Sequence, residues 1–156
     1  MGAISADYIN PFLIAATKVL KDVVKVDTKI DKPYTKDAVF GNQSLLIMLG
    51  VTGEMSGQVI LSFDNSVALD IASKMCMMQL SELDALAESA ISELCNMVLG
   101  NTATVFSTKG IEIDITPPTI CKGTVTFKND YAANICVPLV YEESKKIEIN
   151  IAIKKN

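Results

Sequence analysis

The chain has 156 residues, 49% of them hydrophobic and 21% charged, and this balance favours one compact domain spanning residues 1–156. It contains no histidine, which excludes Ser-His-Asp and Cys-His catalysis and nearly all ordinary zinc sites. All 14 positively charged side chains are lysines, so the chain offers neither an arginine finger nor a bidentate phosphate clamp. With a net charge of −4, it is not expected to bind nucleic acid.

The sequence predicts neither a membrane span nor a signal peptide. The longest strongly apolar run, residues 45–49, is far too short to cross a bilayer, and the N-terminus lacks a basic segment followed by an apolar run. The cysteines at 76, 95, 121 and 136 form no close pair and have mostly apolar neighbours, which favours buried free thiols. We therefore expect a soluble, unprocessed protein of the reducing cytoplasm.

The first element in chain order is a helix. Apolar residues recur at helical spacing from Ser5 or Asn10 to Lys21, and Pro11 suits a first helical turn. Residues 24–30 then alternate between apolar and polar side chains, which predicts a strand buried on one side.

A hairpin and a short helix follow. Residues 44–51 and 57–63 predict two strands joined around Gly53 and Gly57. The next helix is predicted to run to Met75, with N-cap candidates at Asp64, Asn65 and Ser66. The cluster of Met75, Met77 and Met78 is interpreted as core packing rather than a metal site.

The second half predicts a long helix and further strands. Ser81 and Asp84 form a capping signal before a helical pattern that runs to about Ser107. Residues 111–115 predict a strand or extended connection, and residues 135–141 and 147–153 predict a hairpin with its turn at 142–145.

This order of elements predicts an α+β fold with an antiparallel sheet of about six strands and long helices packed on one face. An internal similarity supports two related halves. Asp7 and Asn10 precede the segment PFLIAATKVL, and Glu93 and Asn96 precede the similar segment MVLGNTATVF. These are the two acidic-x-x-Asn patterns of the chain.

The long helix has a polar face. At about 100° per residue, Ser89, Ser92, Glu93, Asn96 and Gly100 lie on one arc, which we call the exposed arc. Glu93 and Asn96 are three residues apart and hence side-chain neighbours, and the serines and Gly100 leave room for another protein. Cys95 and Leu99 flank this arc and suit either the core or an interface. Apolar residues lie opposite, at Ala87, Ala90, Ile91, Leu94 and Val98.

Several segments resemble one known family. ELCNMVLGN, followed by GIEIDITPP, resembles the signature helix of the CheX, CheC and FliY phosphatases of bacterial chemotaxis. INPFLIAATKVL resembles the opening of CheX, and GVTGEMSGQVILSFD with ALDIASKM resembles the strand pair and second helix of the family. The resemblance covers most of the chain and implies a phosphatase acting on the aspartyl phosphate of a CheY-like response regulator.

The resemblance also implies roles for individual residues. Glu93 and Asn96 correspond to the catalytic Glu-x-x-Asn pair, with Asn96 orienting the attacking water and Glu93 pairing with a lysine of the regulator. Ser89, Ser92 and Gly100 are expected to contact the partner. No cofactor is expected on this chain, because Mg²⁺ is expected in the regulator, and the resemblance to CheX implies a homodimer assembled through sheet strands.

The first acidic-x-x-Asn pattern is expected not to form a working site. Asp7 replaces Glu, and Pro11 directly after Asn10 makes Asn10 a natural N-cap whose amide oxygen would bond to the helix backbone. Two alternatives to the phosphatase remain open at this point. One is a non-catalytic module that binds a receiver or flagellar-switch components, and the other is a structural oligomerisation domain.

Overall fold

The computed structural model describes residues 5–35, 37, 39–41, 44–126 and 133–156. The helices in these ranges are α1 (Ala6–Val19), α2 (Asn65–Cys76) and α3 (Ala85–Thr108), and a π-helical turn, Leu20–Val24, continues α1. The strands, in chain order, are β1 (Lys29–Ile30), β2 (Tyr34–Thr35), β3 (Val39–Phe40), β4 (Ser44–Gly53), β5 (Met55–Asp64), β6 (Ile113–Ile115), β7 (Thr119–Cys121), β8 (Val125–Thr126), β9 (Ile135–Tyr141) and β10 (Lys145–Lys155).

Two long hairpins form the centre of an antiparallel sheet. The strand order across this sheet is β1-β9-β10-β5-β4-β6. Two further short strands lie at the edges: β2 pairs with β9 beside β1, and β7 pairs with β4 beside β6. The sheet thus has eight strands among the described residues. The predicted width of about six strands is therefore confirmed, and the two additional strands were too short to be predicted.

The helices pack on one face of the sheet, as predicted. Inward-facing residues of the four long strands, such as Leu45, Ile47 and Leu49 of β4, join the buried side chains of all three helices in one core. Phe12 of α1 and Phe106 of α3 meet edge to face with ring centres 5.6 Å apart. A smaller cluster lies on the opposite face of the sheet and consists of Phe40, Leu46 and Ile60.

The two halves of the chain repeat the same topology. Each half contains a helix, three short strands and a long hairpin, and each pairing in one half has its counterpart in the other. Thus β1 and β2 pair with β9, while β6 and β7 pair with β4. The equivalent strands β5 and β10 pair with each other at the centre, and the equivalent strands β3 and β8 also pair with each other. The predicted internal repeat is confirmed, with α2 joining its halves.

The start of α1 matches the first of its two predicted positions, Ser5, and not Asn10. Ser5 is the N-cap, and its side chain accepts a hydrogen bond from the backbone N–H of Asp7. Asn10 and Pro11 lie inside the helix, so the expectation that Asn10 is the N-cap was wrong. The helix tolerates Pro11 because the ring falls near the N-terminus, where only a short stretch of helix precedes it and few intrahelical bonds are affected.

The predicted strand at residues 24–30 was also largely wrong. Val24 belongs to the π-helical turn, and Lys25 ends the turn in a left-handed conformation with φ of 66°. Only Lys29 and Ile30 form a strand, and both are exposed. The alternation arose because Val24 and Val26 reach the core from the end of a helix rather than from one strand.

Other predictions were confirmed within small shifts of their ends. The two long hairpins and the helix after Asp64 have the predicted positions. Of the methionines, Met75 packs against the core, whereas Met77 and Met78 are 92% and 55% exposed, so the core interpretation was wrong for those two. None of the four cysteines forms a disulfide, as predicted; Cys95 and Cys136 are buried and the other two are half-buried.

A candidate partner-binding helix face

Helix α3 is fixed at its N-terminus and along its apolar side. Asp84 is the N-cap, and its carboxylate accepts a hydrogen bond from the backbone N–H of Ala87 at 3.0 Å. The predicted apolar side is buried except for Ala90, which is half-buried. Cys95 and Leu99, which suited either environment, are both fully buried in the core. The helix therefore has one orientation in which its polar side faces outward.

The exposed arc lies where the spacing predicted. Ser89, Glu93, Asn96 and Gly100 are exposed, and they follow one side of α3 over about three turns. Ser92 is only half-buried, and its hydroxyl oxygen is buried without a hydrogen-bond partner among the described residues. The structure thus brings the predicted site residues together on one helix.

The side chains of Glu93 and Asn96 are not engaged within the described part of the chain. Neither makes a hydrogen bond or an ion pair with another described residue. Asn101, also on α3, contrasts with them, because its amide nitrogen donates to the backbone carbonyl of Met97 at 2.8 Å. The amide and carboxylate of the Glu93–Asn96 pair are therefore available to an external group.

This face is convex and open. A Cβ atom built at Gly100 would meet nothing within 4 Å, so no other part of the described chain covers the helix there. A convex face with two polar side chains does not enclose a small molecule. It is suited to enter a recess in another protein.

The first turns of α3 are held against the neighbouring strands. Glu88 forms an ion pair with Lys122, which follows β7, and the carboxylate side chain is only 16% exposed. Ala87 and Ile91 on the adjacent side are fully buried. The segment before Glu93 is consequently a rigid extension of the face.

One residue of this face was missed in the sequence. Leu86 is 51% exposed and is the one exposed large hydrophobic residue of α3, all of which the structure describes. It precedes Glu93 by seven residues, about two helical turns, and so lies on the same side of the helix. The seven-residue spacing from Glu93 was the available signal.

The counterpart on α1 has the same spacing but different surroundings. Asp7 and Asn10 are both exposed, and neither side chain makes a hydrogen bond with another described side chain. α1 begins at Ala6, directly before Asp7, whereas α3 begins eight residues before Glu93. The first pair therefore has no helical extension beside it.

The clearest cluster of shifted titratable groups joins α2 to the β9–β10 hairpin. Asp70 accepts hydrogen bonds from Lys74 at 2.9 Å and from the Tyr141 hydroxyl at 2.8 Å, and it also forms an ion pair with Lys145. Burial raises the pKa of Asp70, but these hydrogen bonds outweigh burial and hold the pKa below its ordinary value. Burial, with the Asp70 hydrogen bond, raises the pKa of Tyr141. This cluster anchors elements of the fold.

The described residues contain neither a metal-ligand cluster nor a membrane-spanning helix. No three His, Cys, Asp or Glu side chains in this part of the chain come together as metal ligands would. Within the same ranges, no helix combines the length and hydropathy needed to cross a membrane.

The fold and the exposed Glu-x-x-Asn helix define a domain of the CheC-like class. A crystal structure of a CheC-like superfamily protein from Shewanella sp. PV-4 superimposes with a TM-score of 0.86 and 28% identity, covering 97% of this chain and 99% of that one. The family model for the chemotaxis phosphatase CheX matches residues 45–139. The chain belongs to the CheX family.

Two relatives make the similarity more specific. The CheY-P phosphatase CheX of Thermotoga maritima is 30% identical over 150 residues, which is 96% of this chain and 97% of the relative. The crystal structure of the CheX-CheY-BeF3-Mg²⁺ complex from Borrelia burgdorferi matches with a TM-score of 0.82 and 31% identity, covering 95% of this chain and 98% of that one.

Proposed function

We propose that this protein hydrolyses the aspartyl phosphate of a CheY-type response regulator by inserting Glu93 and Asn96 into the regulator's active site. One observation carries the proposal. In this member of the CheX family, Glu93 and Asn96 lie one turn apart on an open helix face, and neither side chain bonds to another described residue. The Thermotoga relative, which is a CheY-P phosphatase, supports the same substrate.

Asn96 orients the attacking water. Its carboxamide has donor and acceptor groups on a short side chain, so it can hold a water in line with the phosphorus–oxygen bond that breaks. The water oxygen forms a bond to phosphorus, the aspartate oxygen leaves as a carboxylate, and inorganic phosphate is released. Since α3 is capped and buried along its other side, Asn96 would reach this position with little loss of freedom.

Glu93 positions the partner. Its exposed carboxylate would pair with a lysine of the regulator and so fix the depth and rotation at which α3 enters the recess. The expected gain from such positioning is on the order of 7 kcal/mol in favourable intramolecular cases, which is enough for a site of two polar groups to accelerate hydrolysis. Ser89, Ser92 and Gly100 would lie against the partner, their small size allowing close approach.

Mg²⁺ belongs to the regulator in this proposal. The Borrelia complex, which contains CheY and Mg²⁺, supports this assignment. When bound there, Mg²⁺ would stabilise charge on the phosphoryl oxygens, while this chain contributes positioning.

The experiment is a phosphate-release assay with phosphorylated CheY and Mg²⁺. The wild-type protein is expected to shorten the lifetime of the aspartyl phosphate, and Asn96→Ala to remove most of that acceleration. Asn101→Ala is the matched control, because the amide of Asn101 is already bonded to its own helix. It should retain wild-type activity.

Equal phosphate release with and without the wild-type protein would contradict the proposal. If the protein then still bound phosphorylated CheY in a pull-down, the non-catalytic binding module would replace the phosphatase as the interpretation. Absence of both binding and activity would favour a structural domain.

We also propose that the protein is cytoplasmic and that it forms a homodimer through the edges of its sheet. The support is that short strands form both edges of the described sheet and carry exposed isoleucines, Ile30 at one edge and Ile120 at the other. Such edges have unpaired backbone groups that a second copy can pair with. Sedimentation equilibrium tests this assignment, and a monomer at all concentrations would contradict it.

A further inference from the structure

Leu86 is a large apolar side chain of α3 that lies outside the core. The apolar side of α3 faces the core, yet Leu86 is 51% exposed in the first turn, on the same side as Glu93. Single exposed leucines are common on protein surfaces, so exposure by itself carries no function. The position of Leu86 on the exposed arc is the informative feature.

The rest of the exposed arc offers little apolar area. It consists of two serines, a glycine, a carboxylate and an amide. Protein interfaces gain most of their binding energy from a few large side chains that are desolvated, while small polar contacts contribute mainly complementarity. On this face, Leu86 is the one large exposed apolar side chain available for that purpose.

The internal repeat allows the described parts of the two helices to be aligned. Glu93 lies 86 residues after Asp7, and the same shift relates β2 to residues 120–121 and β3 to residues 125–126. Among the described residues, α1 begins one residue before Asp7, whereas α3 begins eight residues before Glu93 and includes Leu86. The longer N-terminal part of α3 places Leu86 on the same helix as the Glu93–Asn96 pair.

The extension is also rigid enough to serve as a contact. Its N-cap at Asp84, the buried Ala87 and the ion pair of Glu88 with Lys122 hold the first turns in place. Leu86 lies about 10 Å before Glu93 along the helix axis, at a rise of about 1.5 Å per residue. With Glu93 and Asn96 it gives α3 three contact points on its partner.

We propose that Leu86 is a positioning residue that packs against an apolar patch beside the active-site recess of the phosphorylated regulator. This inference rests on the proposed function, and it adds an apolar determinant of partner recognition outside the Glu-x-x-Asn pair. Leu86 touches no reacting atom, so its contribution is to affinity for the regulator and not to the chemical step.

The test compares Leu86→Ala with Ile14→Ala in phosphate release from phosphorylated CheY and in direct binding. Ile14 is the matched control, since it is also an aliphatic residue on a helix surface and is also 51% exposed. Leu86→Ala is expected to raise KM about fivefold with kcat unchanged, a change of the size expected when part of an apolar contact is lost. Leu86→Met, which conserves volume, should restore KM, and Ile14→Ala should resemble the wild type.

Thermal unfolding of each variant separates docking from folding, because truncation of an exposed side chain should leave the unfolding midpoint unchanged. An unchanged KM for Leu86→Ala, a loss confined to kcat, or an equal effect of Ile14→Ala would each overturn the inference. If Asn96→Ala abolished activity in the same assay, the proposed function would stand without it. If the wild-type protein were inactive, the proposed function and this inference would both fail.

Discussion

Ile14 and Gly100 occupy equivalent positions in the two related helices, four residues after Asn10 and Asn96 respectively. Ile14 is half-exposed, so a branched side chain projects from the surface beside Asn10. At Gly100 the corresponding space is empty, since a Cβ atom there would meet nothing within 4 Å. The second face therefore admits a closely approaching partner where the first does not.

Gly100→Ile should weaken the proposed activity without weakening the fold. The new side chain would project into the space that the partner needs, and we expect kcat/KM to fall about tenfold, equivalent to about 1.4 kcal/mol. Gly100→Ala is the graded control, with a smaller loss of activity and a stabilisation of about 0.5–1 kcal/mol because alanine favours the helix. Steady-state kinetics and thermal unfolding measure the two effects, and full activity of Gly100→Ile would contradict close packing at this position.

Asn10→Ala should leave the phosphatase activity within about twofold of the wild type. A tenfold loss, equivalent to about 1.4 kcal/mol, would be far outside this range. Asn10 is not occupied as an N-cap, because Ser5 caps α1, so the expected lack of activity at this pair has other causes. Asp7 is one methylene shorter than Glu93, Ile14 crowds the face, and no helical turns precede the pair. Asn96→Ala measured in parallel is expected to lose most of the activity, which provides the comparison for an amide of the proposed site. A comparable loss in Asn10→Ala would instead reveal a second working site.

Asp84→Ala should destabilise the protein by about 1 kcal/mol, because the backbone N–H of Ala87 would lose its capping acceptor. Urea unfolding provides the measurement. Glu82→Ala is the control, since Glu82 is an exposed acid in the same connection whose side chain makes no hydrogen bond with described residues. Equal stability of the two variants would show that the cap contributes little to α3.

The Asp70 cluster should make stability depend on acidic pH. The pKa of Asp70 is lower in the folded state, so its stabilising contribution is present above roughly pH 4, the ordinary range of the carboxyl, and is lost as the pH falls below it. Asp70→Asn should therefore be less stable than the wild type at pH 7 and should approach it near pH 3. Unfolding midpoints across this range test the prediction, with Asp114→Asn as a control at an exposed acid. A pH-independent difference between Asp70→Asn and the wild type would contradict it.

Long elements with a clear period could be predicted from the sequence. In β5, β9 and β10, apolar residues at every second position record the face that lies in the main core. The strand β4 is instead a continuous apolar run, because Leu46 is also buried on the opposite face. The exposed arc of α3 was predictable for the same reason, since one helix side is buried throughout. Family resemblance was needed to interpret the arc, because a helical Glu-x-x-Asn pattern has no distinctive chemistry alone.

The remaining features depend on contacts that are distant in the sequence. The strands β2, β3 and β8 have two residues each, too few for a period, and they form because a neighbouring strand offers backbone partners. At residues 24–30, alternation came from a helix end because Val24 and Val26 reach one core from different backbone conformations. Two starts of α1 remained open in the sequence, because Ser5 and Asn10–Pro11 both have the local preferences of a helix N-terminus, and the structure has the cap at Ser5.

The convexity of the α3 face has a consequence for substrate choice. An α-helix with its side chains is about 10–12 Å across, so α3 could carry Asn96 to a phosphoryl group at the floor of a recess only where that recess is at least as wide. A narrower recess would keep the helix, and with it Asn96, away from the phosphate. Selectivity would then be set by the shape of the substrate protein around the phosphate, with no pocket on this chain needed to recognise the phosphorylated amino acid itself.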